Sequence, residues 1–80
     1  MNNNIDEWVV PDTLEKVYTF PKDITEEDAL KKGSELLECD LADLECKTGT
    51  IAGNTLWPDK RYCVSYKGEK VWAVFRKGAW

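Results

Sequence analysis

The sequence predicts one α+β domain in which an amphipathic helix packs on one face of a small antiparallel sheet of three to four strands, including a C-terminal β-hairpin. Three observations support this fold. A capping signal precedes apolar residues at helical spacing, two apolar segments alternate around a glycine, and the length of 80 residues suits a single domain. We expect residues 1–80 to form one compact domain, with residues 1–4 frayed.

The helix is predicted over residues 26–38. Thr25 precedes three acidic residues, which favour the first turn of a helix and its dipole. One stripe carries the apolar positions Ala29, Leu30, Gly33, Leu36 and Leu37. Because a glycine inside a helix costs about 1 kcal/mol relative to alanine, we expect Gly33 to permit close contact between this helix and a sheet.

Three further segments are predicted as strands. Residues 15–20 are rich in β-branched and aromatic residues and end at a proline, and residues 8–10 are predicted as a short edge strand. Residues 44–51 form a third, less regular candidate. Residues 51–59 contain two turn signals, Gly53-Asn54 and Pro58-Asp59, and are predicted as a connection.

The C-terminal hairpin is predicted from residues 61–67 and 70–76, which alternate around Gly68. One face is uncharged and is predicted to receive the helix: Tyr62, Val64, Tyr66, Val71, Ala73 and Phe75. The other face is basic and aromatic: Arg61, Cys63, Ser65, Lys67, Lys70, Trp72, Val74, Arg76 and, if the strand continues, Trp80. An alternative with equal weight is that Trp8 and Val9 cover Trp72 and Val74, giving a three-layered core.

The residue inventory argues against an enzyme. Histidine is absent, which removes the commonest general base and metal ligand. Cys39, Cys46 and Cys63 match no zinc-binding spacing, and their odd number favours reduced thiols in the cytoplasm. We therefore expect no catalytic residues, cofactor or metal, and the absence of a long apolar run predicts no membrane span. The oligomeric state stays open.

Four tryptophans in so small a chain favour a binding function, since tryptophan is enriched at interface hot spots. We expect a small protein-binding module that acts as an inhibitor or regulator docking on a larger complex. Small acidic proteins of this kind are typical of phage and mobile-element antagonists of host or defence machinery. The expected partner-binding residues are Trp57, Arg61, Lys67, Lys70, Trp72, Arg76 and Trp80.

Two alternatives follow from the uneven charge distribution. Residues 1–56 carry thirteen acidic and five basic side chains, whereas residues 57–80 carry two acidic and six basic ones. The basic hairpin face suits a nucleic acid, with Trp72 stacking on a base, although a net charge of −4 opposes this function. The acidic surface suits a protein that mimics nucleic acid, and its proposed residues are Glu35, Glu38, Asp40 and Asp43.

Overall fold

A computed structural model describes residues 5–59 and 68–80. The described elements are β1 (Asp6–Val9), β2 (Lys16–Pro21), α1 (Glu26–Leu37), a 3₁₀ turn (Leu41–Asp43), β3 (Leu44–Ala52), β4 (Thr55–Pro58) and β5 (Glu69–Arg76). The strands form one curled antiparallel sheet in the order β1-β2-β5-β3-β4. The α+β class is confirmed, but the described sheet has five strands rather than three to four. The predicted frayed residues 1–4 lie outside the described chain.

Helix α1 begins where the sequence predicts. The Thr25 hydroxyl accepts a hydrogen bond from the backbone N–H of Asp28 at 3.0 Å, which satisfies one of the free donors of the first turn. The helix ends at Leu37, and Glu38 follows in the left-handed conformation with φ 54°. Of the predicted apolar stripe, Leu36 is exposed, so its assignment to the buried face is wrong.

Strand β5 occupies the centre of the sheet and shows where the hairpin prediction fails. Its edges pair with β2 and with β3, in registers that include Val17↔Phe75 and Glu45↔Phe75. Both edges are therefore occupied from Val71 to Phe75, and no edge is left there for a hairpin arm. The predicted first arm, residues 61–67, lies outside the described residues.

The helix packs on the face of β5 opposite to the predicted one. It lies over Val74, on the face that also carries Phe20 and Trp72, which we call the helix face. A Cβ atom on Gly33 would collide with Val74, which explains the glycine in the stripe and confirms the predicted close contact. The absence of charge did not identify the face that the helix covers, because a central strand is buried on both faces and its charged residues stand at its ends.

The opposite side of the sheet, which we call the groove face, has a core of its own. Its buried residues are Val17, Ala73, Phe75 and Ala79, and the partly buried residues packed against them are Trp8, Val10, Leu56 and Trp80. The sheet is therefore packed on both faces, by α1 on one side and by apolar side chains of the edge strands and the C-terminal segment on the other. The predicted alternative, in which Trp8 covers Trp72 and Val74, is wrong because Trp8 lies on the groove face.

The other strand predictions are largely confirmed. Strand β1 is an edge strand, and β2 and β3 lie within one or two residues of the predicted segments. Within the predicted connection over residues 51–59, the turn at Gly53-Asn54 is confirmed, but strand β4, which was not predicted, follows it. Gly53 adopts φ 63° in the turn, and Ala52 pairs with Thr55 across it. A strand of four residues is too short to display a clear alternation in the sequence.

Candidate functional site

The structure does not bring the predicted partner-binding residues together. Trp72 lies half-buried on the helix face, where its indole N–H donates to the Ile24 carbonyl at 2.9 Å. Lys22 Nζ lies 3.8 Å from the centroid of the Trp72 ring, a cation–π distance. These contacts fix Trp72 as a structural residue beside α1.

Of the remaining predicted residues, Lys70 and Trp57 both lie in register with Thr50 on the helix face, and Trp80 lies on the opposite face. Lys70 and Arg76 are exposed at opposite ends of β5, and Lys70 Nζ lies 3.7 Å from a carboxylate oxygen of Asp59. Trp57 is half-buried on β4, in register with Thr50, and Trp80 packs on the groove face. Arg61 and Lys67 lie outside the described residues. No single surface therefore joins the described members of the predicted set.

The four acidic residues of the alternative surface lie close together in the chain. Glu35, Glu38, Asp40 and Asp43 are all exposed, in the segment that runs from the last turn of α1 into the 3₁₀ turn. The last turn of α1 has no basic residue, although cations are favoured at the negative end of a helix dipole. Two exposed leucines, Leu36 and Leu41, interrupt the acidic run.

The most distinctive concave feature of the described residues is a half-open groove of about 270 Å³. Its walls come from the two edge strands and their connections, and from the segment that follows β5. The lining residues are Trp8, Val9, Val10, Pro11, Val17, Asn54, Thr55, Leu56 and Trp80. Because β1 and β4 are the opposite edges of the described sheet, the groove marks the place where the curled sheet stays open.

Hydrogen bonds and ring packing fix the aromatic walls of the groove. The Trp8 indole N–H donates to the Thr19 hydroxyl at 3.0 Å, so its polar atom is satisfied and its ring faces the apolar side. The Trp80 ring meets Phe75 edge-on, with centroids 5.4 Å apart. The Thr13 hydroxyl donates to the Ala79 carbonyl at 3.0 Å, which holds the segment before Trp80 against the β1–β2 connection.

Gly49 gives Trp80 and Leu56 room to lie close to the sheet. A Cβ atom at this position would stand 3.1 Å from Leu56 Cδ1 and 3.3 Å from Trp80 Cη2. Gly49 pairs with Val71 of the central strand and so lies on the groove face. Any larger residue there would press against two of the groove walls.

The strand beside the groove is acidic. Asp6 and Asp12 are exposed on either side of the segment from Trp8 to Pro11. Glu7 pairs with Lys16 at 2.8 Å, and this hydrogen bond, together with the charge of Glu7, raises the pKa of Lys16. This edge therefore presents carboxylates next to an apolar surface.

The β1–β2 connection holds a strained, exposed leucine. Leu14 has φ 60°, donates its N–H to the Val10 carbonyl at 2.7 Å, and leaves 77% of its surface exposed. The left-handed conformation costs a residue other than glycine on the order of 1 kcal/mol. Strain of this kind, combined with an exposed apolar side chain, is typical of functional loops.

Comparison with known proteins assigns this chain to no family. No protein-family model, curated protein or solved structure matches this chain. Within residues 5–59 and 68–80, no three cysteine, aspartate or glutamate side chains converge in a way that suits a metal ion. The described helix is also too short and too polar to cross a membrane.

Sequence reasoning missed Trp8, Val10 and Leu56 as members of one site. These residues belong to segments that are distant in the sequence, and only the strand order brings them to the same opening. One feature of the sequence could have indicated this site. Trp8 lies in a short predicted edge strand that ends before Pro11, and so large an apolar ring at an edge needs a surface to pack against.

Proposed function

We propose that this chain is a protein-binding module that holds its partner in the groove between β1 and β4. The observation that carries the proposal is the groove itself, a half-open apolar opening with aromatic walls formed by Trp8 and Trp80. Tryptophans whose rings line a pocket and are held by packing or hydrogen bonds, as Trp80 and Trp8 are, resemble the aromatic anchors of protein interfaces. Through this contact the module would act as an inhibitor or regulator of a larger complex.

The volume of the groove suits a side chain better than a free small molecule. Sites that enclose drug-sized ligands measure about 300–1,000 Å³, whereas this groove measures about 270 Å³ and is open to solvent. One large apolar side chain presented by a partner would fill most of it. The partner backbone would then cover the exposed mouth.

The groove supports this function better than either alternative surface. Trp72 is engaged by Ile24 and Lys22, so base stacking on it would first require these contacts to break. The net charge of −4 also opposes a polyanion. The acidic surface between Glu35 and Asp43 offers charge and two exposed leucines, whereas the groove adds aromatic walls that would select an apolar side chain.

The test is a selection of random linear peptides displayed on phage against the original chain, followed by affinity measurements on the Asn54→Arg variant. Asn54 is exposed at the rim of the groove and has no positive φ, so arginine fits its backbone and places a long charged side chain at the mouth. The matched control is Ala42→Arg, which adds the same charge at an exposed site in the 3₁₀ turn. Thermal unfolding of both variants verifies that they fold.

We expect the peptides recovered to bind the original chain and the Ala42→Arg variant, to carry a large apolar side chain, and to bind Asn54→Arg at least tenfold more weakly. Loss of one anchor of about 1.4 kcal/mol corresponds to this tenfold change. Peptides that bind all three chains equally would place the binding surface elsewhere and overturn the proposal. Failure to recover any peptide with an apolar anchor would have the same consequence.

A further inference from the structure

We infer that the partner segment binds as an extended strand, which adds to the outer edge of β1 and places one large apolar side chain in the groove. The inference rests on the proposed function, because it names the form in which the groove takes its partner. It depends on three features of the described residues: the outward backbone groups of β1, the absence of lysine, proline and a bulge from β1, and the acidic charges beside it.

The register of the β1–β2 pair determines which backbone groups of β1 point outward. The N–H of Val10 donates to the Glu15 carbonyl at 2.9 Å, so Val10 faces β2. Hydrogen-bonded and non-bonded pairs alternate along an antiparallel ladder. Trp8 and Asp6 therefore also face β2, whereas Glu7 and Val9 direct their N–H and C=O groups away from it.

Within the described chain, β2 is the only strand that pairs with β1, so the outward groups of Glu7 and Val9 form an available edge. Many edge strands are protected by lysine, proline or a bulge. Strand β1, Asp-Glu-Trp-Val, is short and carries two carboxylates, which disfavour an acidic partner strand, but it contains no lysine, proline or bulge that would block a basic one. Val9 leaves 53% of its surface exposed at this edge.

The groove lies where an added strand would direct a side chain. A partner residue opposite Trp8 would share the groove face, because directly paired residues point to the same side of a sheet. Its side chain would meet the apolar surface of Trp8, Leu56 and Trp80. Its two neighbours would form the hydrogen bonds with Glu7 and Val9 and would point away from the groove.

Charge identifies the occupant as a basic segment of another protein rather than a second copy of this chain. Asp6 is exposed on the edge that receives the strand, whereas Glu7 already pairs with Lys16, so lysine or arginine beside the apolar anchor would gain chiefly from Asp6. Two copies of the chain would oppose two acidic edges, each belonging to a molecule of net charge −4. This mode of recognition is β-strand addition, in which backbone bonds give affinity and alternate side chains give specificity.

The experiment uses a peptide recovered in the selection above and compares Val9→Pro with Val9→Ala. Proline removes the outward N–H of residue 9 and is tolerated on an edge, whereas alanine keeps the N–H and removes the side-chain surface. We expect Val9→Pro to weaken peptide binding about tenfold or more, because one partner carbonyl loses its donor, and Val9→Ala to weaken it only a few-fold. Thermal unfolding verifies that both variants fold.

Hydrogen exchange in the unaltered chain keeps the inference testable even if Val9→Pro does not fold. Bound peptide should slow the exchange of the Glu7 and Val9 amides and leave the Trp8 amide, already bonded to β2, unchanged. A peptide that binds the groove without protecting Glu7 and Val9 would overturn strand addition while leaving the proposed function intact. Two other outcomes would also overturn the inference. Protection of the same amides by self-association without peptide would identify the occupant as a second copy of the chain. Competition by free indole as strong as that by the peptide would identify it as a small ligand.

Discussion

The two faces of the sheet are both apolar, but they are closed in different ways. On the helix face one continuous element, α1, covers Phe20 and Val74, and Gly33 lets its backbone approach the central strand. On the groove face, side chains from several segments share the cover, and Gly49 lets two of them, Leu56 and Trp80, lie close to the sheet. A helix closes its face along its whole length, whereas separate side chains leave an opening. The proposed function places binding on the face that stays open.

The largest effect is expected from Gly33→Ala. The new methyl group would collide with Cγ1 of Val74, which is fully buried and cannot move into solvent. Overpacking of this kind costs about 1–3 kcal/mol, and the helix propensity gained with alanine returns about 1 kcal/mol. We expect a net loss of up to about 2 kcal/mol in the free energy of unfolding, measured by urea denaturation.

A double-mutant cycle with Val74→Ala provides the control for this prediction. Val74→Ala removes the methyl groups that Gly33→Ala would strike, so the double variant should lose less stability than the sum of the two single variants. Additive losses would mean that α1 does not approach Val74, and the comparison of the two faces would then lose its structural basis.

A smaller effect is expected from Gly49→Ala. The added Cβ would stand 3.1 Å from Leu56 Cδ1 and 3.3 Å from both Trp80 Cη2 and the Trp57 carbonyl oxygen. A slight movement of the two side chains relieves their contacts, and the backbone contact requires a shift of only a few tenths of an ångström, so the strain is smaller than at Gly33. We expect a loss of stability below about 1 kcal/mol, together with a change in tryptophan fluorescence as Trp80 moves. A loss as large as that of Gly33→Ala would show that the groove face is as rigidly closed as the helix face.

The helix could be predicted from the sequence, but the face of the sheet that it covers could not. Thr25 and the acidic residues after it are local signals, and they predict where α1 begins without reference to the rest of the fold. Alternation along β5 likewise predicts that Val71, Ala73 and Phe75 share a face. It does not say which face meets α1, because both faces of a central strand are apolar and Trp72 is accommodated by the Ile24 carbonyl and Lys22.

The groove was less predictable still, for a physical reason. Trp8 and Leu56 belong to β1 and β4, which border the same opening only because three other strands lie between them in the sheet. No local pattern encodes that order. The prediction that tryptophans serve as anchors had identified Trp80, but it grouped this residue with Trp72, which lies on the other face of the sheet.

At neutral pH the smallest effect on stability is expected at Cys46, whose thiol reports how tightly α1 closes the helix face. Cys46 is half-buried there, and burial, followed by the nearby charge of Glu26, raises the pKa of its thiol to about 12, while Lys22 acts in the opposite direction. From an ordinary value of 9.0, this shift lowers the thiolate fraction at neutral pH about a thousandfold. The thiolate is the reactive form, so iodoacetamide should modify Cys46 far more slowly in the folded chain than in urea.

The same shift fixes the sign of the pH dependence. Below pH 9 the Cys46 thiol is protonated in both the folded and the unfolded chain and contributes no pH dependence, but between about pH 9 and pH 12 the unfolded chain loses the proton first. Stability should therefore fall as the pH rises through this interval, and Cys46→Ser should reduce that fall.

Peptide mapping by mass spectrometry separates Cys46 from Cys39 and Cys63 in the alkylation measurement. Equal alkylation rates of Cys46 in the folded and the unfolded chain would mean that the helix face opens as readily as the groove face, and the contrast between the two faces would fail.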